Sequence, residues 1–472
     1  MSPLDAGFLD LEDADRHASL AIASVAVFEG PAPSYDECLA AIAGRLPLIT
    51  RYRQKAVRVP FDLGRPVWVD DTRFDLRYHL RQTALPAPGG DAQLCRLVEW
   101  IMAQRLDRER PLWECWLVEG LEGGRWALVT KLHHCMVDGV SGADIYRLIF
   151  DATPEPSPPV EDHWRPAPEP STLWLTADAL RELTLGPVQQ ARALGGALLR
   201  PGDLLRRTRV TSRGLVALAG ALRPVQVSSL SGPVGRSRRY RLVRGSLADV
   251  KAVRRQLGGT VNDVVLAVLA GAFRALLLAR GEPPGPKAVR SLVPVSVRAP
   301  GEEGVLENRV SLLLADLPVD VADPVERLAA VRAQLTALKR SREAEAGEAV
   351  TALARYEPFP LLSLGLRLVF RAPQRNIVTV TTNVPGPRWP LYAMGRRVLE
   401  ILPYVPIATT LRLGVAILSY CDQLVFGVTG DRDSSPDIDV LARGITDGLA
   451  ELVAAARDAA AAQPAAAVPA GR

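Results

Sequence analysis

One short run carries residue types that do chemistry: His133-His134-Cys135-Met136-Val137-Asp138-Gly139. A neutral imidazole is the side chain best matched to taking a proton from a hydroxyl near neutral pH, so this pair supplies the candidate general base. An acid four residues after His134, followed at once by glycine, fits a tight turn after a strand. Gly139 gives the backbone room beside the base. Asp138 reads as an architectural anion that holds the turn. Arg298, at the end of Val293-Pro294-Val295-Ser296-Val297-Arg298, is its candidate partner. Cys135 reads as a small packing residue, with an oxidation-sensitive thiol as the alternative. Other chemistries fit less well. A metal centre needs a third ligand, and His17, His79 and His163 lie in unrelated contexts, so no metal is expected. A Ser-His-Asp triad wants a G-x-S-x-G elbow, which the chain lacks. Two ordinary core histidines are the plain meaning of a lone pair, and the sequence around this one argues against it.

The elements that must position the motif are legible. Strand Trp126–Leu132 ends at the two histidines, and a helix is expected after Gly139, with Ser141 as N-cap and Asp144 three residues on. Helix Asp91–Leu106 carries Leu94, Leu97, Val98, Ile101, Met102 and Leu106 on one face. Residues 1–151 thus read as one α/β unit. Residues 153–170 hold seven prolines, which predicts an extended crossing segment. Residues 171–223 look helical. From Arg181 to Arg239 there are eleven Arg against two acids, which is either a solvated surface or a basic face for anionic lipid. A linker and crossover therefore fill 152–234, and a second α/β unit fills 235–455. There Thr260 caps a long helix, Val261–Arg280, with Asp263 at its third position. Strand-like runs follow at Val289–Val297, Arg309–Leu317, Ile377–Thr382, Arg412–Leu418 and Leu424–Thr429, the last two as a hairpin. The Ala/Pro tail, 456–472, is expected to be disordered.

Composition bounds the rest. The chain has 472 residues, 48% hydrophobic and 23% charged, enough for two domains and unlike a disordered or collagen-like chain. The net charge of +5 is mild for this length, and five Lys against fifty-two Arg resembles codon bias in a GC-rich genome. No nucleic-acid partner is expected. Five cysteines, Cys38, Cys95, Cys115, Cys135 and Cys421, form no CxxC, so a reducing cytoplasm is the natural reading. Met1 to Glu12 has acids and no apolar core, unlike a secretory signal. No window reaches about 18 uninterrupted apolar residues. The nearest, Val261 to Ala279, contains Asn262, Asp263 and Arg274.

An ordered set of motifs then resembles one family. It comprises Pro3-Leu4-Asp5-Ala6-Gly7-Phe8-Leu9, Arg110-Pro111-Leu112-Trp113-Glu114, the histidine motif, Asn262-Asp263, the run ending at Arg298, and Asn308-Arg309-Val310. Asn383-Val384-Pro385-Gly386-Pro387, Pro390-Leu391-Tyr392, Ser419-Tyr420 and Asp431 complete it. The resemblance is to the bacterial wax ester synthase/acyl-CoA:diacylglycerol acyltransferase family and covers nearly the whole chain. HHxxxDG alone is shared by the wider chloramphenicol acetyltransferase-like superfamily. Two departures stand out. Glu307 replaces the glycine common before Asn-Arg-Val, and the segment near His17 is not the usual Met-His-Val.

The resemblance implies an α/β fold of two pseudo-symmetric chloramphenicol acetyltransferase-like domains. Each is a mixed β-sheet with covering helices, and an active-site channel lies between them. It implies that His134 is the general base, that His133 positions the loop or assists, and that Asp138 and Gly139 complete the motif. Asn262 and Asp263 are implied near the oxyanion or the base, with plain helix capping as the alternative. Pro111, Leu112 and Trp113 are implied at the substrate, with core packing as the alternative. Asn383 is a turn residue or lines the channel, and Arg298 is grouped with these. The implied activity moves a long-chain acyl group from acyl-CoA to the hydroxyl of diacylglycerol or a fatty alcohol. There is no cofactor and no covalent acyl-enzyme, and a cytoplasmic protein would associate peripherally with a membrane or lipid-droplet surface. The alternatives are a related acyltransferase with a specialised hydroxy acceptor or carrier-bound donor, and a catalytically silent lipid-surface binding protein.

Overall fold

The architecture is that of a computed structural model, which describes residues 1–136, 150–182, 184, 228–296, 310–340 and 377–462. Helix α1 (Pro3–Ala14) starts at Ser2, whose hydroxyl accepts the Asp5 N–H. Strand β1 (Ala21–Phe28), helix α2 (Tyr35–Arg45) and the paired short strands β2 (Gln54–Val57) and β3 (Val67–Asp70) follow. Then come α3 (Leu76–His79), β4 (Leu80–Ala84), α4 (Asp91–Ala103), β5 (Trp113–Glu119) and β6 (Trp126–His133). The face of α4 that its periodicity predicts is buried at Leu94, Cys95, Val98, Ile101 and Met102. The helix stops at Ala103, short of Leu106. Gln104 turns extended, and Lys131 Nζ caps the end by donating to the carbonyls of Ile101 (2.8 Å) and Gln104 (2.7 Å).

The proline-rich stretch has no helix or strand from 157 to 170. It lies along the first unit, held by Val160 N–H on the Gly44 carbonyl (2.9 Å) and by the Arg53–Asp162 and Lys55–Glu169 pairs. A helix, α5 (172–182), opens the expected helical region. Most of the Arg-rich segment, and the helix expected from Ser141, lie outside the described residues.

The second half runs through β7 (Arg238–Ser246), α6 (Leu247–Leu257), α7 (Val261–Ala279), β8 (Val289–Ser296), β9 (Val310–Leu317) and α8 (Pro324–Arg340). It ends with β10 (Thr379–Pro385), β11 (Tyr392–Ala393), β12 (Arg396–Tyr404), β13 (Leu413–Tyr420), β14 (Gln423–Asp431) and α9 (Ile438–Ala462). The expected hairpin is there, with β13 and β14 antiparallel up to the Tyr420↔Gln423 pair. Helix α7 is long and apolar enough to cross a membrane by length and composition. Here it is a core helix, with every residue from Val264 to Ala270 fully buried. The first residues of the expected disordered tail, 456–462, are helical. Alanine is the best helix former, and Ala456 packs into the core, so α9 continues through 456–462.

Among the described residues two six-stranded sheets result, ordered β11-β12-β1-β6-β5-β4 and β7-β14-β13-β10-β8-β9. Both are mixed: β4 runs parallel to β5, and β10 runs parallel to β13 and β8. The sheets do not follow the chain division read from sequence. Strands β11 and β12, placed with the 235–455 unit, join the first sheet, where β12 pairs with β1 from Ala23↔Tyr404 to Phe28↔Val398. This covers an edge that β1 would otherwise leave open. On its other side β12 rests on β14. Tyr240 donates its hydroxyl to the Pro403 carbonyl at 2.7 Å, and a Cβ at Gly427 would fall 1.8 Å from that oxygen. A second tie is Arg244 on β7, which grips Asp91 of α4 and Glu400 of β12.

Candidate active site

The motif sits where β6 leaves the first sheet and enters a 3-10 turn, His134–Met136. Its neighbours hold it by main-chain bonds. His133 N–H donates to the Leu112 carbonyl (2.9 Å), and His134 N–H donates to the Leu20 carbonyl (3.0 Å). The motif is therefore pinned on one side by the entry to β5 and on the other by the entry to β1.

The two rings meet different surroundings. His133 is 1% exposed. Its Nδ1 accepts the Cys135 N–H at 3.2 Å and lies 3.0 Å from the Cys135 sulfur. An accepting Nδ1 puts the ring proton on Nε2, which faces the Glu12 carboxylate at 3.5 Å. His134 is half-buried and lies against the Phe8 ring of α1, with centroids 4.1 Å apart. Burial, with the neighbouring His133, pushes its pKa down to about 4. The ring is thus neutral near pH 7, with a lone pair to accept a proton. Burial also lowers His133. Cys135 is fully buried and its thiol is pushed up by burial, which fits packing rather than an oxidation-sensitive role. Two residues back on β6, Lys131 is fully buried and held down to about 8 by burial, against the pull of Glu114 and Glu12.

Some residues singled out from sequence come together. Asn383 on β10 donates its side-chain amide to Asn262 Oδ1 at 3.3 Å, in the first turn of α7. Asp263 completes a capping box with Thr260: it accepts the Thr260 N–H at 2.7 Å, and its own N–H donates to the Thr260 hydroxyl at 3.2 Å. Capping explains Asp263 in full. Pro111, Leu112 and Trp113 are buried, which fits the packing alternative for this run. Trp113 stacks with both Tyr52 and His79, with its indole N–H on the Tyr52 carbonyl at 2.8 Å. The run braces the motif from below, through Leu112 on His133 N–H. Apolar packing of a strand entry against an aromatic cluster decides its place. Asp138, Gly139 and Arg298 lie outside the described residues. Among the described residues no cluster of three His, Cys, Asp or Glu could hold a metal ion.

Sequence reasoning missed Glu12, Arg108 and Lys131 and gave Phe8 no role of its own. Lys131 had a signal, as a lone charge in the apolar run Trp126–His133. Glu12 had none, since Asp13 and Asp15 beside it look alike.

The fold with this motif at a strand end defines a class. The chain superposes on the starter condensation domain of rhizomide synthetase with a TM-score of 0.56 at 16% identity, covering 97% of this chain and 95% of that one, which is a likeness of fold. It superposes better on the wax ester synthase/diacylglycerol acyltransferase from Marinobacter aquaeolei VT8, with a TM-score of 0.67, 28% identity and coverage of 96% and 98%. The two domains of one family match in order: the wax ester synthase/diacylglycerol acyltransferase catalytic domain over residues 1–265 and the WS/DGAT C-terminal domain over 306–453. A probable diacylglycerol O-acyltransferase of Mycobacterium tuberculosis is 43% identical over 462 residues, 96% of each chain. A putative diacylglycerol O-acyltransferase of the same organism is 36% identical over 463 residues, 97% of this chain and 92% of the relative. The chain belongs to the wax ester synthase/diacylglycerol acyltransferase family and is an O-acyltransferase of that family.

Proposed function

We propose that this protein transfers a long-chain acyl group from acyl-CoA directly to the hydroxyl of diacylglycerol or a fatty alcohol, with His134 as general base. The observation that carries the assignment is the neutral, shielded His134 ring at the end of β6. The ring takes the hydroxyl proton as the alkoxide oxygen attacks the thioester carbonyl. The tetrahedral intermediate then collapses, the C–S bond breaks, and the imidazolium returns the proton to the CoA sulfur. A thioester is already activated and a thiolate leaves well, so proximity, a base and oxyanion stabilisation suffice, with no cofactor. Asn262 accepts the Asn383 amide through Oδ1, and its own amide N–H groups then serve as donors to the oxyanion. Asp138 as the anion of the turn, Arg298 as its partner and Gly139 as the clear backbone enter this reading as expectations from the sequence.

Peripheral association with a membrane or lipid-droplet surface belongs to the same reading, because the acceptors are apolar. Exposed Phe61, Leu173 and Trp174 support it. They lie on neighbouring segments, since Ala179 of α5 and Val59 both approach Gly64. Thiol release from palmitoyl-CoA, measured with diacylglycerol, hexadecanol and a short alcohol, tests the reading. Acceptor-dependent release is expected. No release with any alcohol would move the assignment to a lipid-surface binding protein.

A further inference from the structure

Phe8 and Glu12 are one turn apart on α1 and so share a face. Phe8 lies on the His134 ring, and Glu12 faces the His133 ring. The Glu12 side chain is 2% exposed, a costly place for a carboxylate unless donors surround it. Its Oε1 accepts the Leu20 N–H at 3.0 Å, and its Oε2 pairs with Arg108. That second oxygen is also 3.5 Å from His133 Nε2, a buried nitrogen with no hydrogen-bond partner of its own. Leu20, tied to Glu12 by its N–H, accepts the His134 N–H through its carbonyl. One carboxylate therefore reaches both histidines, one through its ring and the other through its main chain.

We propose that Glu12 is a positioning residue for the general base: it fixes the Nε2-protonated tautomer of His133 and, through Leu20, the main chain that carries His134. The other charges around this arrangement are Asp13 and Asp5 on α1, Arg108 after α4, and Lys131 on β6. Arg108 partly neutralises Glu12, while Lys131 spends its protons on the carbonyls of Ile101 and Gln104. The inference rests on the acyl-transfer reading of His134.

Ring 15N NMR of the wild-type protein between pH 6 and 8 reads the His133 tautomer, and the proton is expected on Nε2. Glu12→Gln is expected to lower kcat about 10- to 100-fold, part of the roughly 10²–10⁴-fold a positioned base contributes, with KM for acyl-CoA within about twofold. It should also redistribute the His133 tautomers, and Glu12→Asp should recover part of the loss. A wild-type His133 protonated on Nδ1, or a folded Glu12→Gln variant with wild-type kcat, overturns the assignment. Should Glu12→Gln fail to fold, the wild-type tautomer decides alone. A dead His134→Ala beside a fully active Glu12→Gln would remove Glu12 and leave the base. A fully active His134→Ala would remove the base, and the His133 tautomer would still judge Glu12.

Discussion

A histidine pushed down to about 4 by burial is neutral over the whole physiological range. For His134 this trades basicity for readiness. As the proposed base, the ring would accept a proton reluctantly, and its conjugate acid would give the proton readily to the leaving sulfur. The pH dependence follows in sign. Protonation removes the lone pair, so kcat/KM should stay level from pH 8 to about 5 and fall only as the pH drops toward 4. A pH–rate profile that already halves near the ordinary histidine value of about 6.5 would mean that the ring is solvated. At this scale the sequence was uneven in what it revealed. The motif histidines stood out because they are two of the five in the chain and stand shortly before Asp138-Gly139. Glu12 did not, because its role comes from the way α1 folds back over the end of β6. Nothing local separates it from Asp13 and Asp15.

At the scale of elements, local rules were legible wherever local physics decides. The capping box at Thr260 and Asp263 formed as its spacing predicts, and so did strands β8, β9, β13 and β14 within a residue or two of their apolar runs. Thr260→Ala should cost about 1 kcal/mol, as measured by denaturant unfolding. What could not be read was pairing between distant parts of the chain. Strand β12 carries Arg396, Arg397 and Glu400 and offers no clean alternation, yet it fills the open edge of β1 and packs its far side on β14. Its fit depends on Gly427, where an added Cβ would meet the Pro403 carbonyl at 1.8 Å. Gly427→Ala should therefore destabilise the fold by about 1–3 kcal/mol, as overpacking does, with a lowered melting temperature as the readout. An unchanged melting temperature would mean that the two sheets are less tightly joined than this.

Across the whole molecule, the two sheets are tied by β12 and by Arg244, which reaches Asp91 and Glu400 together. Glu400 is nearly buried and Arg244 partly exposed. Arg244→Met should cost about 1–2 kcal/mol, below the roughly 3–5 kcal/mol of a fully buried pair. Acid should weaken the fold in two stages. Burial holds His79, His133 and His134 below their ordinary value. Their folded forms therefore bind fewer protons than the unfolded chain, and stability that is full above pH 6.5 is lost as the pH falls toward about 4. The Arg244 guanidinium keeps Asp91 below the carboxylate range, and Arg280 does the same for Asp437, so their contribution is lost at lower pH still. Melting temperatures at pH 7, 5.5 and 4.5 should decline in that order. In the function proposed above, this fold brings a neutral His134 to an acyl-CoA thioester and an alcohol. The most direct measurement is thiol release from palmitoyl-CoA with the preferred acceptor, comparing purified wild type with His134→Ala at matched folding. Turnover in the variant should fall by about 10²-fold or more. A folded His134→Ala protein that releases CoA at the wild-type rate would contradict it.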